Sequence, residues 1–546
     1  MDAKLDFEKI FLFLVFFLLL WLGLGPLWDH RIKHDFPYGY MASDTFQHQI
    51  RAESIKDAGN YRQEAFYIIK GFHDVIGYYP PLIYHIGIIF SYLAGLEVYD
   101  GAYFVIFLLA IFAVLLMYYV IKHFHQITAI LAMPLTILIF TFPIYIAFTW
   151  GHWPAIAAGL FVIASIWAIQ RFELNKAYIL LAVFFSGVIY THTSEAIFVF
   201  LFIFVYLLLK FVFKKLEWTE VKHFLFAGIL AFIISLYSLL IFIRVWGVAQ
   251  PYKFSSYPVW EGTPGFYFSN FGIILQIIIL IGMILALFVI AKKNINAAII
   301  AGFVLFALGF TNYFGFSFRA FQLRFFWPLY LAVFFGLVFY KLGYELSKYT
   351  GKKLNTVAAI IVSILLFSAI IYFHYKPLVS EGLMNQYHWN AFKWIEANTP
   401  KDAKIYFFYG DIYGQDALLR NVKREHYLIN YQEYFESIRN QSIRRSYKMK
   451  IPGDSGAGIP YKKGAFSYGF HSLEEPQEFF YGYRDICSFD YYVFDKIGSQ
   501  QSMPIIQFNN IIKNIYLRNI WMKEVYSNEV TSIVRNEKPG ENCLAA

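Results

Sequence analysis

What most constrains this chain is a recurrence of apolar runs, most of them of roughly 18 to 24 residues and so long enough to cross about 30 Å of hydrocarbon. They lie near 9–27, 100–121, 127–148, 153–170, 177–192, 195–213, 223–245, 270–291, 296–313, 325–344 and 355–374. A backbone in hydrocarbon must satisfy its own hydrogen bonds, so such runs read as helices. Only 15% of residues are charged, against about 25% in a soluble domain, and the deficit falls in these runs. The expected fold class is a polytopic α-helical membrane protein with about eleven transmembrane helices, followed by a soluble α/β domain. The first run is followed by Gly25-Pro26-Leu27-Trp28 without a small-residue cleavage site. It reads as an uncleaved anchor.

Charge sets the expected topology. Lys4/Lys9, Lys122, Arg171/Lys176, Lys214/Lys215/Lys222, Lys292/Lys293 and Lys341/Lys348/Lys352/Lys353 fall in alternate connections. Excess lysine and arginine marks cytoplasmic loops. The N-terminus is then inside, and everything after about residue 375 is outside. Residues 81–96 are apolar, but counting them as a span would put every later basic cluster outside. They read as an interfacial or re-entrant helix. The net charge of +9 is accounted for by these clusters, and no nucleic-acid partner is expected. The domains expected are 1–374, with an outer loop 29–99 carrying surface helices, and an extracytoplasmic body 375–546. Cys487 and Cys543 both lie in that body, open to pairing if it is extracytoplasmic and to remaining two separate thiols.

The unusual polar residues crowd the outer connections. Residues 29–80 carry Asp29, Asp35, Asp44, Glu53, Asp57, Glu64 and Asp74. From Asp44, the spacing of Phe46, Ile50 and Ile55 against Asp44, His48 and Arg51 predicts a short surface helix ended by Gly59. Asp44 and His48 stand one turn apart; Asp44 with Gln47 also fits a capping box, in which the carboxylate only satisfies backbone donors. Tyr79-Pro80-Pro81-Leu82 and His85 follow. His152 lies between two tryptophans suited to an interfacial belt, and Pro154 starts the next helix. His192 and Glu195 flank another abrupt junction, where an ionisable residue is costly unless paired or functional. Asp44, His152 and Glu195, with His48 and His192, have the chemistry to ligate a divalent cation such as Mg or Mn. Arg319 and Arg324 stand at the mouth of an apolar hairpin, where a guanidinium fork suits phosphate or snorkels to headgroups. The loop 246–269 has the length of a lid or binding loop.

The tail alternates strand-like and helix-like stretches. Residues 404–409, 426–429 and 490–494 read as strands, and 387–398, 412–421, 431–440 and 505–516 as helices, which suggests a small α/β domain. Gly453-Asp-Ser-Gly-Ala-Gly-Ile-Pro reads as a loop, and Asn440-Gln-Ser442 is a glycosylation sequon.

Several of these patches together resemble the GT-C superfamily of polyprenyl-phosphate-dependent membrane glycosyltransferases. They are Asp44 after a first span, a helix, Tyr79-Pro80-Pro81-Leu82, an arginine junction leading to Arg324 and Pro328, and an outer C-terminal domain. Ala391-Phe-Lys-Trp394-Ile-Glu-Ala-Asn-Thr399-Pro400 is similar to the start of the C-terminal domain in archaeal oligosaccharyltransferase catalytic subunits. Phe407-Phe408-Tyr409-Gly410-Asp411 stands where those carry Trp-Trp-Asp-Tyr-Gly, and Gly151-His152-Trp153 replaces their second-loop acidic pair. The resemblance therefore implies a relative that is not itself an oligosaccharyltransferase. It implies inverting transfer of a sugar from a polyprenyl (dolichyl) phosphate-linked donor to a glycan, lipid or protein acceptor outside the cell membrane. Asp44 would be the general base or hold a metal, Arg324 with Arg319 would bind the phosphate, and His152, His192 and Glu195 would line the cavity. The competing readings are a transporter or flippase of a lipid-linked or small anionic substrate, and an inactive scaffold presenting the C-terminal domain.

Overall fold

A computed structural model of the chain describes residues 6–28, 33–59, 63–64, 75–76, 80–172, 176–242, 264–269, 271–314, 320–351, 354–377, 381–413, 416–450, 459–460 and 481–544. By packing it divides into two compact units, Met1–Ile32 with Tyr103–Ser380, and Lys33–Ala102 with Glu381–Ala546. The loop that the sequence attached to the membrane half thus clusters with the C-terminal residues. The reason is a polar one: its buried side chains find their partners there, as described below.

Seven described helices are long and apolar enough to cross a membrane: Phe7–Gly25, Val98–Lys122, Glu195–Val212, Trp218–Leu240, Gly272–Ala291, Trp327–Tyr349 and Thr356–His374. Four shorter apolar helical segments, Gln126–Phe140, Trp153–Ile169, Ala177–Thr191 and Ala297–Leu308, occupy the remaining expected runs. The protein is a polytopic helical membrane protein with a C-terminal α/β domain. Helices differ in how much they bury. In Val98–Lys122 67% of the apolar window is covered, and in Trp327–Tyr349 56%, against 22% in Trp218–Leu240, Gly272–Ala291 and Thr356–His374. The first two are inner helices and the last three leave most of their apolar surface for lipid.

The run 127–148 does more than kink at its prolines. An α-helix Gln126–Ala132 tightens into a 3₁₀ stretch Met133–Phe140 with Pro134 in its first turn. Pro143 follows, and Ile146–Thr149 is a separate short helix. Proline removes a donor and clashes with the preceding turn, and the 3₁₀ stretch survives because it is buried throughout. Small residues set the closest helix contacts, as expected where lipid supplies no hydrophobic drive. A Cβ at Gly282 would lie 2.1 Å from the Phe334 carbonyl oxygen, and one at Gly336 2.4 Å from that of Thr128.

The second unit is built on a seven-stranded mixed sheet. Its strands in chain order are β1 (Lys404–Phe407), β2 (Glu425–Ile429), β3 (Ser446–Lys450), β4 (Tyr481–Asp485), β5 (Tyr491–Asp495), β6 (Met522–Ser527) and β7 (Thr531–Asn536). They lie side by side as β4-β3-β2-β1-β5-β7-β6. β1 runs parallel to β2 and β5, with Ile405 opposite His426 and Tyr491; the outer pairings are antiparallel. The central strands are buried on both faces, so they read as near-continuous apolar runs. Helices Gln386–Asn398, Tyr431–Arg439 and Met503–Leu517 match three of the expected helical stretches, and 412–421 shortens to Asp416–Leu419 with a 3₁₀ turn. Cys487 and Cys543 are joined in a disulfide. Most of the loop at 453–460, like that at 246–263, lies outside the described residues.

Candidate functional site

In the second unit, the expected helix is Ser43–Ala58, closed by Gly59 in the left-handed region at φ 70°. Its burial differs from expectation. The segment is polar, yet ten of the eleven residues from Thr45 to Ile55 are buried, all but Gln47, so it is an interior helix. It packs against helix Leu82–Ala94 on one side and the Asp416–Leu419 turn on the other. The capping box is also absent: the N-cap is Ala42, which gives no side-chain cap. Asp44 sits in the first turn, exposed, where the macrodipole favours a carboxylate.

Buried polar groups need partners, and here they are long-range. Gln49 Nε2 donates to Glu53 Oε1 at 2.7 Å and to Asn421 Oδ1 at 2.9 Å. His48 Nδ1 lies 2.9 Å from the Tyr84 hydroxyl, so His48 faces the Leu82–Ala94 helix while Asp44 faces solvent. His85 is half-buried on that same helix, and the Tyr79 side chain lies outside the described residues. Lys423 Nζ reaches Asp57 at 2.8 Å, Glu396 at 3.4 Å and Glu53 at 3.5 Å. Burial works against that ammonium, but the three carboxylates outweigh it and hold its pKa above the ordinary lysine value. For Glu396, burial is in turn outweighed by Lys393 and Lys423, which lower its pKa.

In the first unit, His152 caps helix Trp153–Ile169, whose second residue is Pro154. Trp153 is buried and donates to the Phe148 carbonyl at 2.7 Å, whereas Trp150 is exposed; only Trp150 fits the interfacial belt. The His152 ring lies 5.4 Å from Phe321 and 5.2 Å from Phe325, both on the short helix Phe321–Phe325 that carries Arg324. Arg324 is fully buried. Its Nε donates to the Gly309 carbonyl at 2.9 Å, and its guanidinium stands 5.7 Å from the Tyr267 ring centre. Snorkelling is therefore not its role. Two neighbours on the same stretch, Gln322 Oε1 and Trp327 Nε1, are buried and make no hydrogen bond in the structure. His152 and Arg324 share one aromatic cluster. His192 and Glu195 are paired to each other through Nδ1 and Oε2, both buried. Arg319 lies outside the described residues.

Among the described residues, no three His, Cys, Asp or Glu side chains are gathered so as to hold a metal ion. The carboxylate of Glu195 is paired with His192.

The sequence missed three groupings. His34 donates its backbone N–H to Asp100 Oδ2 at 2.7 Å, with its ring 3.3 Å from Oδ1. The Lys423 cluster was not anticipated, nor was the buried pair His388–Asp495 at 3.1 Å. Asp495 also accepts the Asp411 N–H at 3.1 Å, and burial pushes its carboxyl pKa up despite His388. Apart from Lys423 and Glu396, which are 27 positions apart, the partners are 66 to 370 positions apart, so no local spacing signals them.

The chain superposes on solved membrane glycosyltransferases at low sequence identity. ArnT from Cupriavidus metallidurans bound to undecaprenyl phosphate matches with a TM-score of 0.56 and 10% identity over 100% of both chains. The oligosaccharyltransferase of Archaeoglobus fulgidus in the apo form matches with a TM-score of 0.54 and 10% identity, over 92% of this chain and 71% of that one. AglB from the same organism, in complex with an inhibitory peptide and a dolichol-phosphate, gives 0.52 and 10% over 94% and 73%. No protein-family model matches the sequence, and no curated protein is significantly similar to it. At this identity the likeness is one of fold, and the chain shares the fold of these solved structures.

Proposed function

We propose that this protein is an integral membrane glycosyltransferase that moves a sugar from a polyprenyl (dolichyl) phosphate-linked donor to an acceptor hydroxyl on the outer face of the membrane. The observation that carries this is the match to ArnT over the full length of both chains, in a structure bound to undecaprenyl phosphate. The donor's C1–O–phosphate bond breaks and a bond forms between C1 and the acceptor oxygen, with inversion. Asp44, exposed at the start of its helix, takes the acceptor proton. Arg324 binds the donor phosphate and stabilises the charge growing on it as the leaving group departs. Arg319 assists, and His152, His192 and Glu195 line the cavity. The buried guanidinium and the nearby Trp327 indole N–H supply donors of the kind a phosphate requires.

Outer placement of the second unit is supported by its disulfide, since such bonds persist in oxidising compartments. The test is transfer from a polyprenyl-phosphate sugar in membranes. General-base catalysis contributes about 10²–10⁴-fold, so Asp44→Asn should lose at least about a hundredfold in kcat with the protein still folded. Full activity in that variant removes Asp44 from the chemistry, and movement of the lipid or sugar without bond formation would favour a transporter.

A further inference from the structure

The acid-rich loop is only partly used by that chemistry. Asp35, Glu53 and Asp57 do not accompany Asp44; they line a cleft of about 360 Å³ within the second unit. This is within the usual range for small-ligand sites, about 300–1,000 Å³. Its floor is aromatic. Tyr99 meets Trp389 edge to face at 5.4 Å, and Lys393 stands 4.8 Å over the Trp389 ring. Its rim alternates in sign, with Lys33, Lys56, Lys393 and Lys423 against Asp35, Glu53, Asp57 and Glu97.

That balance selects the ligand. Four lysines against four carboxylates leave the rim with no net formal charge, so neither a polyanion nor a polycation is favoured. A lipid tail is excluded by the polar rim. What remains is a neutral molecule with many hydroxyls, each able to donate to a carboxylate and accept from an ammonium, with a C–H face for the aromatic floor. We propose that this cleft is a saccharide subsite and that the acceptor is an oligosaccharide. The second half of this statement rests on the glycosyl-transfer reading above; the first does not. Glu53 and Asp57 lie nine and thirteen positions past Asp44 on one helix, about 14 and 20 Å along its axis at about 1.5 Å per residue. An acceptor held at both ends of that helix spans several sugar units.

The probes are mannotriose and cellotetraose, titrated calorimetrically into the full-length protein in nanodiscs, away from sugar-headed detergent. Saturable binding is expected for at least one of them. It should weaken tenfold or more in Asp35→Asn/Glu97→Gln, two exposed rim positions, with the melting temperature unchanged; Lys33→Met/Lys56→Met is the second, independent pair. No saturable binding by the unaltered protein, or equal binding in both rim variants, overturns the subsite. Asp44→Asn separates the two ideas. If it still transfers sugar while the rim variants lose saccharide binding, the general-base reading falls and the subsite stands. If it is inactive while the rim variants bind as before, the reverse holds.

Discussion

Lys423 and Gly410 are the residues on which the second unit most visibly depends. Lys423 is the common partner of Glu53, Asp57 and Glu396, so Lys423→Met should leave the buried Glu53 carboxylate without this cation, beside the neutral Gln49 amide, and cost about 1–3 kcal/mol, read by thermal unfolding. Its folded pKa is raised. That contribution is therefore fully present below the unfolded lysine value of about 10.4 and is lost as pH rises through the still higher folded value. Stability should not respond to this group between pH 6 and about 9; a loss within that window in the unaltered protein but not in Lys423→Met would contradict the assignment. Gly410 is a matter of space. A Cβ there would lie 1.8 Å from Asp495 Oδ2, so Gly410→Ala should cost about 1–3 kcal/mol through overpacking, read as a lower melting temperature. The dependence of Asp495 on His388 is just as local in space and just as invisible in the chain.

At the scale of elements, the helix Ser43–Ala58 shows how far periodicity carries. Its start, its end and its Gly59 stop were readable. Gly59→Ala should cost about 1 kcal/mol, because an alanine is strained at φ 70°, measurable as a lower melting temperature. Its burial was not readable, since a stretch this polar predicts a solvated face; only partners from distant segments, Asn421 and Lys423, make interior packing affordable. The strands divide in the same way. β1, β2 and β5 are apolar and central, and each was recognised. β6 is an edge strand whose residues are largely exposed, and β7 is buried but polar. Thr531 pairs with the Tyr413 hydroxyl, and Asn536 donates to the Cys487 and Phe489 carbonyls. Neither strand leaves an apolar alternation to detect. The disulfide ties these elements across 56 positions. On the loop-entropy view its reduction should lower the stability of this unit by about 4 kcal/mol, seen as an earlier unfolding transition with a reducing agent and no such shift in Cys487→Ser/Cys543→Ser.

For the whole molecule, the alternation of basic loops makes a topological prediction. A cysteine placed at Gln500 should react with a membrane-impermeant maleimide in intact cells, and one at Lys214 only after lysis; the native cysteines, being bonded, stay silent. The opposite pattern would invert the protein and remove the outer-face assignment of Asp44. The sequence by itself determined that this is a multi-spanning helical protein with an α/β tail, because the hydrocarbon thickness and the cost of unpaired backbone groups act on any chain locally. It also marked Arg324 and His152, because an ionisable side chain in apolar surroundings is conspicuous without knowledge of its partners. Only the tertiary structure decided which helices are inner and which face lipid, that Arg324 is buried beside the His152 aromatic cluster, and that the acidic loop clusters by packing with the C-terminal residues. Those outcomes depend on pairings between residues up to hundreds of positions apart, and such pairings are made by packing and desolvation, which no local pattern records.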